Sequence, residues 1–245
     1  MGDLMSYTFP LSDDSKVFLS NCIFRAITND LPELIYENRL PTSVGSGQFR
    51  WNFINRNLLE DAPENFETAF AKRGGWIFIL LRDAYTNLSF SIMSEKNFAN
   101  LQKHPKQKEH YLEALVSQNE WREPISSQIS IDGFFPDRDQ SILSELRSQL
   151  FSGFTGIIDE HVLVLYDYNY SGVTTIRAVL LTPKLEIAAS DDWTNFMRNT
   201  FIPTKTINVT SSGEEEDLVS LREEYTPNEQ SIVEINTNNK RENKG

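Results

Sequence analysis

Apolar positions along this chain fall first into helical spacing. Ser12-Asp13-Asp14 opens a helix, with a serine cap and two carboxylates where the helix dipole favours negative charge. Leu19, Ile23, Ala26 and Ile27 recur behind them as one stripe. Pro32 suits the first turn of a short second helix carrying Leu34 and Ile35. From Phe49 to Leu59 two periods overlap: Phe49, Trp51 and Phe53 alternate as in a strand, while Trp51, Ile54 and Leu58 fit a helix. Pro63 through Lys72 reads as helix, with Phe66, Ala69 and Phe70 on one side and Gly74-Gly75 as its stop.

Trp76-Ile77-Phe78-Ile79-Leu80-Leu81 is apolar on both faces, the mark of a central strand covered on both sides. A turn at Thr86-Asn87 leads to a partner strand over Leu88–Met93, and a short helix follows around Asn97-Phe98. Longer helices are expected over 106–121, with Tyr111, Leu112, Leu115 and Val116 together, and over 139–151, with Ile142, Leu143, Leu146 and Leu150. A second hairpin joins Val162–Tyr166 to Val173–Leu181 through Asp167-Tyr168-Asn169-Tyr170-Ser171-Gly172. A third strand over Leu185–Ala189 and a short helix beginning at Asp191-Asp192-Trp193 follow. This order predicts an α+β fold: an antiparallel or mixed sheet of two hairpins and a meander, covered on one side by helices.

Composition changes the picture at the C-terminal end. Residues 205–245 are rich in carboxylates (Glu214-Glu215-Glu216-Asp217 above all) and poor in apolar side chains, so burial there offsets little of the entropy of ordering. The expected organisation is a globular domain over 1–204 and an acidic, disordered tail over 205–245, with Leu218–Leu221 as one turn or edge strand that could dock. With 35 acidic and 23 basic residues the net charge is −12, which disfavours nucleic acid and anionic lipid. Arg73, Arg82, Lys103, Lys106 and Lys108 read as solvated helix faces rather than a basic groove. No run nears the ~20 apolar residues of a membrane span, and the first ten residues lack a signal-peptide pattern. One cysteine, Cys22, forms no internal disulfide, so a cytoplasmic setting is expected.

Candidate chemistry is sparse. His104, His110 and His161 are too dispersed for zinc, Gly45-Ser46-Gly47 lacks the rest of a phosphate loop, and Cys22 sits in a helical stripe as a buried thiol. No cofactor is implied. A magnesium-dependent nuclease would need clustered carboxylates and a lysine; Asp83 with Glu95 and Lys96, or Asp159, Asp167 and Glu186, are the sets on offer. The residue types favour binding instead. Tyr168 and Tyr170, two apart at the hairpin tip and flanked by Asp167 and Asn169, offer large rigid anchors with polar ends for a protein partner.

Three stretches, Arg73–Leu80, Leu88–Phe98 and His110–Leu115 with Asn119, resemble an uncharacterised family of Gram-positive bacteria and their phages, filed as a domain of unknown function. The resemblance implies no activity or catalytic residue. It implies a setting of mobile elements, where small acidic proteins bind and block or regulate a host or phage protein.

Overall fold

The computed structural model describes residues 7–40, 44–73, 75–104, 109–120 and 139–197. The acidic tail expected over 205–245, including Leu218–Leu221, lies outside the described residues. Six strands form one mixed sheet in sequence order: β1 (Phe66–Arg73), β2 (Trp76–Asp83), β3 (Leu88–Ser94), β4 (Glu160–Asn169), β5 (Gly172–Leu181) and β6 (Ile187–Asp192). Every neighbouring pair is antiparallel except β3–β4, which runs parallel. The chain between those two strands carries α4 (Glu95–Lys103), α5 (Tyr111–Val116) and α6 (Gln140–Leu150). Before the sheet come α1 (Asp13–Arg25), a π-helical turn (Ala26–Asp30), α2 (Leu31–Glu37) and α3 (Ser46–Glu60).

Helices cover both faces of the sheet, not one. Ile79, Leu81, Phe90, Val164 and Leu180 point toward Leu19 and Ile23 of α1 and Ile54 and Leu58 of α3. Leu163, Leu165, Val179 and Leu181 point the other way, toward Phe98, Leu101, Leu112 and Val116. Phe78 and Leu80 meet Leu115, Leu143 and Leu150 on that same side. Central strands that are apolar on alternate residues of both faces need a layer of helix on each.

Several elements differ from the sequence expectation. The segment expected as helix over 63–72 is β1. Arg73 pairs with Trp76, so β1 and β2 are the two strands of a tight hairpin, where the sequence predicts a helix and its stop. Pairing with the most apolar strand in the chain outweighs the helical preference of Ala, Glu and Lys. The ambiguous 49–59 segment is helical, as part of α3. Of the helix expected over 106–121, the described part is α5, started by a capping box at His110 and Glu113. It ends where Asn119 turns to bond β4 and β5. Asp191 and Asp192 finish β6 instead of opening a helix; a 3-10 turn over Thr194–Phe196 follows.

One buried ion pair fixes the two ends of this assembly. Lys16 is 3% exposed, and its Nζ lies 3.0 Å from Asp191 Oδ2. The same oxygen accepts from the backbone N–H of Phe9 at 3.2 Å and from Trp193 Nε1 at 3.0 Å. Three donors on one carboxylate oxygen offset the desolvation of both charges.

Candidate functional site

The β4–β5 tip rests on the π-helical turn. Thr28 Oγ1 accepts from the Val173 N–H at 3.4 Å, and a Cβ at Gly172 would lie 2.6 Å from that hydroxyl. Gly172 also has a φ of +119°, so both the close approach and the backbone require glycine. Two residues further along the π turn, the Asp30 carboxylate accepts from Arg56 at 2.8 Å and Asn57 at 2.9 Å, tying the turn to α3. From the same helix Arg50, itself buried, lies 3.9 Å from the ring centre of Tyr168 and donates to its hydroxyl at 2.6 Å.

The four tip residues therefore part ways. A bulge between Asp167 and Tyr168 interrupts the β4–β5 register, and Tyr168 turns onto Arg50 and Tyr166, half-buried. Asn169 pairs with Gly172, which leaves Tyr170-Ser171 as a two-residue connection outside the strands. Tyr170 is 95% exposed. The alternation expected to put both tyrosines on one face ends at the turn. Asp167 accepts from the Tyr168 N–H at 2.9 Å and Asn169 from the Ser171 N–H at 2.7 Å, so each steadies the backbone beside Tyr170.

Neither carboxylate set converges. Asp83 is buried at the end of β2, where Asn65, the Thr86 N–H and the Thr86 hydroxyl donate to it. Glu95 lies beyond the opposite end of β3, roughly 20 Å away by strand length, and grips Arg177 through both oxygens. Lys96 is exposed on α4. Asp159 and Asp167 occupy opposite ends of β4, roughly 25 Å apart, and Glu186 sits in the turn before β6 with its backbone N–H on Thr182. Among the described residues no group of three or more His, Cys, Asp or Glu is placed to hold a metal. Arg82, read from the sequence as a solvated cation, is buried and donates to Glu67, Asn87 and the Ile157 carbonyl.

A further buried polar group, His161, is engaged at both ring nitrogens. His161, 1% exposed on β4, has Ser89 Oγ 2.9 Å from Nδ1 and Ser91 Oγ 2.8 Å from Nε2. Asn119 brackets its backbone, accepting from the N–H at 2.8 Å and donating to the carbonyl at 3.0 Å. Burial, with a smaller push from the Arg147 charge, lowers the imidazole pKa to about 3, so the ring is neutral. Both nitrogens are occupied and no solvent reaches them, which makes this a polar rivet between β3 and β4 rather than a reacting centre. Serines at alternate positions of β3, facing one histidine, were the available signal. Cys22 is likewise sealed, its thiol pushed up by burial.

No curated protein and no solved structure matches the chain. A family model does match, over residues 8–236, spanning every element from α1 to β6, and the chain belongs to that family, DUF5986, a family of unknown function.

Proposed function

We propose that this chain acts by binding another protein, as a regulator or inhibitor in the cytoplasm, with the β4–β5 tip in the contact surface. Conflict between phage and host is the setting in which we place it. The observation that carries the reading is Tyr170: a large aromatic ring, 95% exposed, on a two-residue turn whose flanks are fixed by Asp167, Asn169, Thr28 and Arg50. A rigid mount lowers the entropy lost when such a ring is buried against a partner. The net charge of −12 favours a neutral or basic protein surface over a polyanion.

Capture from a bacterial lysate with wild-type and Tyr170→Ala baits side by side, followed by titration of the recovered partner, tests this. Loss of a buried interface tyrosine costs about 2 kcal/mol, close to thirtyfold in Kd. The melting temperature should not move, because the Tyr170 side chain is 95% exposed. Equal affinity for the two baits, or no stoichiometric partner for wild type, would sink the reading.

A further inference from the structure

The two edges of the sheet are treated differently. At one end β6 is six residues long, ends in Asp191-Asp192, and pairs with β5 across a register shift. Short length, acidic residues and irregular register are the usual guards against edge-to-edge pairing. At the other end β1 is eight residues long, pairs with β2 without any shift, and contains no proline.

The direction of its backbone groups follows from α3. Trp51 Nε1 donates to the Ile77 carbonyl at 3.2 Å, and Asn55 Oδ1 accepts from the Ile79 N–H at 3.2 Å, both from the side away from β1. Residues opposite Ile77 and Ile79 in an antiparallel pair must also face away, so Lys72, Phe70 and, by alternation, Thr68 present N–H and C=O groups outward. No backbone hydrogen bond among the described residues reaches them. Phe70 is 69% exposed, and Ile77, diagonal to it on the same face, is 52% exposed.

We propose that the outer edge of β1 pairs antiparallel with β1 of a second copy of this chain, with Phe70 opposite Phe70, joining two six-stranded sheets into one. That register sets the outward groups of Thr68, Phe70 and Lys72 against one another about a two-fold axis. On the open face it brings together two Phe70 rings with the two Ile77 side chains beside them. The opposite face carries Ala69 and Ala71, and Gly153 lies so close over Ala69 that a Cβ there would come within 2.7 Å. In the two-fold register Ala69 falls opposite Ala71 of the second copy, so small residues lie under this covering segment. Glu67 falls opposite Arg73, and Lys72 opposite Thr68, so no like charges meet. A strand of unrelated sequence would have to supply this alternation of small and large independently; β1 meets its own requirement.

Light scattering on the full chain at about 50 µM, well above a micromolar Kd, should give twice the 28.2 kDa chain mass. Phe70→Lys and Phe70→Glu, each placing like charges face to face, should run as single chains. Mixing the two should restore the doubled mass as a one-to-one heterodimer. Thr68→Pro, which removes one outward donor at a position where an edge strand tolerates proline, should also give single chains and serves if either charged variant unfolds. A single-chain wild type overturns the proposal, even if slow hydrogen exchange over 68–72 then shows an intramolecular strand covering the edge. Variants that all stay dimeric, or a lysine–glutamate mixture that does not associate, overturn it too.

Discussion

The β1–β2 and β4–β5 hairpins lie in the same sheet but are stabilised by different means. β4 and β5 have neighbours along most of their length, and Val162–Leu165 and Ala178–Leu181 are buried on both faces. β2, in contrast, pairs with β3 only at Leu81–Phe90 and Arg82–Ser89. Farther out, Trp51 and Asn55 of α3 take the backbone groups that a third strand would have used. Strand pairing can stop wherever side chains satisfy the exposed polar backbone, and beyond that point α3 takes the place of a neighbouring strand along β2.

The contrast is sharpest in acid, because the central hairpin contains His161. In the unfolded chain its pKa returns to the ordinary 6.5, while in the fold it is about 3. A depressed folded value means the unfolded state gains the proton first as pH falls. His161 therefore contributes its full stability above pH 6.5 and loses it progressively toward pH 3, at about 1.4 kcal/mol per unit and ~5 kcal/mol in all. Urea unfolding at pH 7, 6 and 5 should show a steeper loss for wild type than for His161→Gln. Parallel slopes would mean that the ring is protonated in the fold.

Next in size is packing. Leu163→Ala, at a fully buried site on β4, should cost about 3 kcal/mol, whereas Phe70→Ala on the ribbon should cost under about 1 kcal/mol when measured on single chains. Equal losses would erase the distinction between the hairpins. The smallest effect concerns the brace itself. Asn55→Ala leaves the Ile79 N–H without its acceptor and should cost about 1 kcal/mol, with faster hydrogen exchange confined to Trp76–Leu80. Unchanged exchange there would show that β2 does not depend on α3.

The same contrast explains which parts of the fold were legible. β4 and β5 carry unbroken apolar runs between turn residues, and these can be read as strands without knowing their neighbours. β1 cannot be read that way. Phe66, Ala69 and Phe70 fit a helix as well as a strand, and only the partner two residues away across the glycines decides the matter. The second helical layer was missed for a related reason: α5 and α6 face β residues far away in the chain, and spacing within a helix does not name its target. At the tip, type and position of the tyrosines were visible, but the bulge that turns Tyr168 onto Arg50 depends on a contact 118 residues distant.

The Asp191 carboxylate has a consequence for how the chain is threaded. By accepting from Phe9 and Lys16 together, it holds residues 9 and 191 within hydrogen-bonding distance of each other. They are 182 positions apart in the sequence, yet the approach to α1 and the end of β6 share one corner. The stretch from residue 9 to residue 191 is thus close to a closed ring of polypeptide. A short linker beyond residues 9 and 191 would close that ring, and new termini opened at an exposed turn such as Tyr170-Ser171 would leave every strand with its present neighbours.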